Sequence, residues 1–224
     1  MHSQKTFLLV VTLMSFLNLT LGQGSLAFRN LDFEEANLPY LPPGQSGGLV
    51  AVSNALPGWT AYFDTSAQTE VLYNNQALDY ASISILSSNY ASGPLGFGSG
   101  SYYAFLKGGG FTGGSLITPA LTQTGQIPAS ANSLRLTAYS APYVTFLGNH
   151  IPLVALSSSG FNTIYGGDIS GFAGMIGELR FTSGFSYLDN ILFSTQQIPE
   201  PSAFSLVGAG ILLFARRSRL VARS

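Results

Sequence analysis

Leu134-Arg135-Leu136-Thr137-Ala138-Tyr139 sets an apolar residue at every second position and puts Arg135 and Thr137 between them. A period of two is the signature of a strand buried on one face. The same pattern repeats in both directions from this stretch. Downstream, residues 143–147, 150–156, 178–182 and 187–193 are short runs rich in β-branched and aromatic residues. Upstream lie residues 28–33, 49–52, 59–63, 70–73, 81–86 and 102–106. Turn signals separate them, among them Leu56-Pro57-Gly58, Asn74-Asn75 and the Gly-rich residues 107–115. Short runs at roughly ten-residue spacing with turns between them predict an antiparallel β-sandwich or barrel. No stretch of residues 28–198 keeps a 3.6-residue apolar period over three turns, so helix is limited to a turn or two.

Both ends of the 224-residue chain differ from this middle. His2 and Lys5 precede an apolar run over residues 7–21, and Ser25-Leu26-Ala27 offers small residues before a cut after Ala27. This is the layout of a secretory signal peptide over residues 1–27, with a cut after Gly22 as the alternative. At the other end, Pro199-Glu200-Pro201 leads into residues 202–215, which carry no charge. Arg216, Arg217, Arg219 and Arg223 follow at once. An apolar segment closed by arginines reads as a membrane anchor held from its cytoplasmic end. It is shorter than the roughly 20 residues that cross a bilayer, so it reads as a brief anchor. The expected organisation is therefore a signal helix over residues 1–27, a β-sandwich over 28–198, and a short transmembrane helix with its flanks over 199–224.

Composition narrows the middle part. About 170 residues suit one domain with a real core. There is no cysteine anywhere, so an exported domain here is stabilised without disulfides. Four bases (Arg29, Lys107, Arg135, Arg180) stand against nine acids (Asp32, Glu34, Glu35, Asp64, Glu70, Asp79, Asp168, Glu178, Asp189), a net of −5. That balance excludes a basic nucleic-acid-binding surface.

The C-terminal composite resembles the PEP-CTERM sorting signal of Gram-negative bacteria. The resemblance implies that Pro199, Glu200, Pro201, Arg216, Arg217 and Arg219 form a signal read by an exosortase, a membrane peptidase. It also implies export through the Sec translocon, a transient stay in the inner membrane, and a final place at the cell surface or outside the cell. The alternative is a plain tail anchor with a chance Pro-Glu-Pro before it. Two clusters in the middle resemble the galactose-binding-like jelly roll of bacterial carbohydrate-binding modules. These are Asn30-Leu31-Asp32-Phe33-Glu34 with Pro57-Gly58-Trp59, and Gly167-Asp168-Ile169-Ser170-Gly171-Phe172-Ala173-Gly174 with Glu178-Leu179-Arg180-Phe181-Thr182 and Leu188-Asp189-Asn190-Ile191. Residues 72–142 resemble nothing comparable. In such jelly rolls an early Glu and a late Asp hold a structural Ca²⁺ with backbone carbonyls, which implies Glu34 and Asp189 here. The chemistry suits a hard cation. The residues alone leave open that both carboxylates face solvent or accept backbone hydrogen bonds.

Other residues carry plainer readings. Trp59, the only Trp, belongs in the core after its turn, with a sugar-stacking platform as the alternative. Asp168 suits a turn cap. Enzyme chemistry finds little support. His150 is the one histidine of residues 28–198, and no Gly-x-Ser-x-Gly elbow marks a nucleophile. Glu34, Glu35, Glu70 and Glu178 could supply a glycosidase pair, but no spacing selects one. The Gly-rich segment lacks the Gly-Lys-Ser/Thr ending of a P-loop. The expectation is a non-enzymatic, exported surface or matrix protein associated with extracellular polysaccharide. A carbohydrate-binding module drawing on tyrosines such as Tyr62, Tyr73, Tyr80, Tyr90, Tyr102, Tyr103, Tyr139 and Tyr143 is the first alternative, and an unrecognised glycoside hydrolase the second.

Overall fold

A computed structural model describes residues 26–77, 79–110 and 116–199. Residues 1–25 of the expected signal helix, Glu200, Pro201, Arg216, Arg217, Arg219 and the expected transmembrane helix lie outside the described residues. Among the described residues, no helix is long and apolar enough to cross a membrane.

The chain forms strands β1 (Leu49–Ala51), β2 (Thr60–Phe63), β3 (Ser66–Gln68), β4 (Glu70–Tyr73), β5 (Ser82–Ser87), β6 (Tyr102–Lys107), β7 (Gly109–Gly110) and β8 (Leu116–Ile117). There follow β9 (Pro119–Gln126), β10 (Ser133–Ala138), β11 (Tyr143–Phe146), β12 (Asn149–Ile151), β13 (Val154–Ser159), β14 (Asn162–Asp168), β15 (Ile176–Thr182) and β16 (Phe185–Ser194). Among the described residues, one helical turn, α1 (Val52–Ala55), and a 3₁₀ turn at Ser170–Phe172 are the helical pieces. The larger sheet runs β1-β4-β5-β6-β16-β10-β14-β13 and the smaller β12-β11-β15-β9-β2-β3, with β7 and β8 as a separate ribbon.

The two sheets pack face to face as an all-β sandwich. Ile83, Ile85, Ala104, Leu106, Leu134, Leu136 and Leu188 of the larger sheet share one buried cluster with Ala61, Leu121, Val144, Phe146, Leu179 and Phe181 of the smaller. The period-two pattern explains the choice of face. In β10, Leu134, Leu136 and Ala138 are buried, while Arg135 and Thr137 turn to the outward side. A second, smaller cluster forms on that outward side, where Leu86, Tyr90, Phe97, Tyr103, Phe105 and Tyr187 pack together. Phe105 and Tyr187 stack at 4.7 Å between ring centroids, and Phe97 meets Tyr103 edge-on at 5.1 Å.

Several sequence expectations need correction. Residues 28–33 alternate like a strand but do not form one. Asn30 and Phe33 take left-handed φ values of 49° and 60°, and residues 31–35 turn instead. Residues 150–156 are not one strand: Pro152 breaks the run, and its halves β12 and β13 join different sheets. The pairing is not wholly antiparallel either, since β4 and β5 run parallel with Leu72 opposite Ser84. Strands β9 and β14, both interior to their sheets, fall outside the expected runs.

Candidate functional site: a carboxylate-held loop and the cleft beside it

Three of the motif fragments singled out by the sequence, residues 30–34, 57–59 and 188–191, meet at one place. Asn30 organises the first. Its carbonyl accepts from Trp59 Nε1 at 2.9 Å, its side-chain Nδ2 donates to Pro57 O at 3.0 Å, and its Oδ1 accepts from Glu35 N at 3.0 Å. These local bonds compete with a strand ladder and hold the chain in a turn. Phe33, fully buried, then packs on Trp59 with 5.7 Å between ring centroids. Trp59 is 5 % exposed, so it belongs to the core and does not serve as a stacking platform. Gly58 at φ 87° makes the tight entry, with the Arg29 side chain lying over it. From the other end of the chain, Ile191 N donates to Leu31 O at 2.9 Å. Asn190 takes φ 50°, and the β10–β16 register slips between Arg135 and Thr137. This bulge is next to Asp189.

Asp189 and Glu34 both face the loop over residues 96–102. Ser99 N donates to Asp189 Oδ2 at 2.8 Å, and Asn190 donates to the same carboxylate from its backbone N (2.7 Å) and its Nδ2 (3.1 Å). Glu34 Oε1 accepts from Ser101 N at 2.8 Å and from Tyr102 N at 2.9 Å. Asn162 adds two bonds, accepting from Gly98 N and donating to Gly96 O, each at 2.7 Å. Glycine is required at two points. A Cβ on Gly98 would come 2.1 Å from Asp189 Oδ2, and one on Gly100 would come 2.5 Å from Glu34 Oε1. Both glycines also have positive φ, 66° and 78°.

Asp189 is fully buried. Burial pushes its carboxyl up to about 7, against the lowering pull of the Ser99 and Asn190 amides, and the charges of Glu34 and Asp32 add to the rise. Glu34, Asp32 and Asp189 are therefore close enough to feel one another. The arrangement does not suit calcium. A Ca²⁺ cage presents six to eight oxygens, including carbonyl oxygens. Here backbone N–H groups point at the carboxylates, with two hydrogen bonds accepted by Glu34 and three by Asp189. Among the described residues, no group of three His, Cys, Asp or Glu is placed to hold a metal ion. The two residues that the resemblance implies as ligands come together, but what they hold is the protein's own loop.

The loop forms one wall of a cleft. Ser101 and Tyr102, whose amides Glu34 fixes, line a hollow of about 260 Å³ together with Tyr40, Tyr73 and Asn89. Ser87, Ser88, Leu38 and Leu41 complete the lining, and no charged side chain is among them. Tyr40 is 80 % exposed at the rim. Tyr73 and Tyr102 lie 6.5 Å apart, ring to ring. Burial raises the Tyr73 hydroxyl to about 12, and the Tyr102 side chain, bonded to it, adds to the rise. The Tyr73 hydroxyl is thus a neutral hydrogen-bonding group. In the sequence, Tyr73 and Tyr102 are two of eight candidate tyrosines. The feature separating them from the rest is their pairing across β4 and β6, which no local signal marks.

The remaining residues serve elsewhere. Glu35 pairs with Arg29, and Glu178 lies 3.9 Å from Arg180 on the smaller sheet. Arg180 also stacks over Tyr62, 5.1 Å from its centroid. Asp168 Oδ1 accepts from Ser170 N at 2.8 Å, the turn cap expected of it. His150 is exposed and stacks on Tyr143 at 4.4 Å. Ala27 bridges Gln126 in parallel, and Leu26 O accepts from Gln126 N at 2.6 Å. Comparison of the chain with protein families, characterised proteins and solved structures finds no match.

Proposed function

We propose that this chain is an exported, exosortase-sorted protein of a Gram-negative envelope, whose sandwich is a non-enzymatic jelly roll. It works at the cell surface or in extracellular matrix, next to exopolysaccharide. The observation that carries this reading is the junction of fold and tail. Strand β16 ends at Ser194, and the exposed Pro199 then opens Pro-Glu-Pro, the apolar run and the arginines. A processing signal needs an accessible start directly outside a folded body, and Pro199 supplies one. The test is expression with and without an exosortase, followed by mass spectrometry of the C-terminus. Cleavage near Pro199-Glu200-Pro201 is expected only with the peptidase. An intact tail retained in the inner membrane in both hosts would refute the reading.

The cleft favours a second reading, binding of a neutral sugar. Tyrosine rings offer stacking faces, Ser and Asn offer donors and acceptors, and the absence of charge suits an uncharged polyol. At about 260 Å³ it lies just below the roughly 300–1,000 Å³ of drug-sized sites, so it fits one sugar ring better than a long chain. Glycan-array binding that Tyr40→Ala and Tyr102→Ala abolish, with the melting temperature kept, is the expected result. Binding unchanged by both variants would remove the cleft from consideration.

A further inference from the structure

The chain leaves its fold on the outward face of the larger sheet. Ser133 Oγ donates to Gln196 O, Asn132 Nδ2 donates to Thr195 O, and Ile198 lies over Gly166, where an added Cβ would come 2.4 Å from Ile198 Cδ1. Gly166, Arg135 and Leu192 make one row across β14, β10 and β16. Arg135 alternates with the core residues Leu134 and Leu136, so that row faces outward.

The same face exposes apolar side chains that nothing among the described residues covers. Leu192 is 56 % exposed beside the exit, with Ile164 one step further along β14. Beyond them Tyr139 meets Phe161 and Phe185, ring to ring, at 6.1 and 5.9 Å. Leu95, 81 % exposed, sits on the loop that Asn162 fastens to this face. The charges on the strands of this face are Arg135 and Lys107 against Asp168 at the end of β14, Glu70 on β4 and the covered Asp189, whose carboxyl also feels Glu34 and Asp32.

Length decides what lies opposite. Only Glu200, Pro201 and Ser202 separate Pro199 from the apolar run that begins at Ala203. Fully extended, that linker reaches at most about 14 Å. A domain of about 170 residues is about 40 Å across. Such a body is held within about 14 Å of the bilayer in which its tail is anchored, and the side with the exit is the side turned toward it.

We propose that, in the anchored chain, the outward face of the larger sheet rests on the lipid headgroups through Leu192, Ile164, Leu95, Tyr139, Phe161 and Phe185. This rests on the anchor reading of residues 202–224. Aromatic and aliphatic side chains of this kind favour the interface, where elements lying on a membrane bury about 5–10 Å. The contact holds Pro199-Glu200-Pro201 at the depth where a membrane peptidase works.

The test uses the full chain in phosphatidylethanolamine/phosphatidylglycerol vesicles containing lipids brominated near the headgroup. Phe161→Trp and Leu192→Trp replace exposed residues, and Tyr143→Trp on the smaller sheet serves as the control. Native Trp59 is buried and supplies a constant background. Blue-shifted emission quenched by bromine at positions 161 and 192, and neither change at 143, is the expected result. Quenching at 161 and 192 no greater than at 143, with a tail that resists carbonate extraction, overturns the proposal and leaves the anchor standing. Blue shifts that ignore bromine and accompany cross-linked dimers overturn it in favour of a second copy on this face. A tail extracted by carbonate overturns the anchor reading, and the proposal falls with it.

Discussion

Replacing Asp189 by Asn should erase a pH dependence that the burial of this carboxylate writes into the stability of the fold. Two effects oppose each other at Asp189. A carboxylate that accepts two or three N–H bonds is normally driven well below its ordinary value, whereas complete burial drives it up. With no exposure and with Glu34 and Asp32 adding like charge, burial wins, and the carboxyl rises from 3.8 to about 7. The folded state therefore binds this proton more tightly than the unfolded state does. Its contribution is fully present below about pH 4, is lost as pH rises toward 7, and is gone above that. A rise of about 3 units corresponds to about 4 kcal/mol, to be read as an order of magnitude. Urea unfolding of wild type and Asp189→Asn between pH 4 and pH 8 measures it. The variant keeps an acceptor for Ser99 N and loses the titration. The difference in stability, wild type minus variant, should fall by several kcal/mol from pH 4 to pH 8. A difference that grows with pH would refute the argument, because the ionised carboxylate would then be the favoured form. EDTA would tell which force had been underestimated: a cation if the trend disappears, the amide bonds if it persists.

Three further expectations follow from the same geometry. Gly98→Ala meets Asp189 Oδ2 and a φ of 66°, and should cost about 3 kcal/mol, against about 1 kcal/mol for Gly96→Ala, which has positive φ and open space; thermal melts compare them. Trp59→Phe leaves the Asn30 carbonyl without its 2.9 Å donor and opens space beside Phe33 and Phe181, so chemical denaturation should report a loss of about 3 kcal/mol. Because Leu26 O and Ala27 both engage Gln126, a chain that starts at Phe28 should be about 1 kcal/mol less stable than one that starts at Gln23.

Strands were legible where one face is buried and the other solvated. Residues 134–139, 178–182 and 187–193 alternate for that reason and became β10, β15 and β16. The failures have physical causes. Strand β9 opens with Pro119 and carries Thr122 and Gln123, so it looks polar, yet both are buried. Gln123 spends its amide on the backbone of Arg29, accepting from Arg29 N at 2.6 Å and donating to Arg29 O at 3.0 Å. A polar residue that serves another segment cannot be told from a solvent-facing one by sequence alone. Residues 28–33 fail in the opposite sense, since the alternation is present but the Asn30 side chain bonds Pro57 O and Glu35 N. Local bonding outweighed a pattern that suited a strand equally well.

The site shows where residue types stop being informative. Asn30-Leu31-Asp32-Phe33-Glu34, Pro57-Gly58-Trp59 and Asp189-Asn190-Ile191 were marked as belonging together, and the fold brings them within hydrogen-bonding reach of one another. A carboxylate's identity, however, fixes only that it accepts. Whether a cation or an amide answers is decided by the chain opposite, and here that chain lies 67 to 90 residues away in sequence. Its decisive residues are Gly98 and Gly100, which have no side chain to read. Their lack of a Cβ lets backbone N–H groups approach the two acids, where a bulkier residue would hold the loop off and leave room for an ion. The choice between a metal and a loop thus rests on what is missing from two positions.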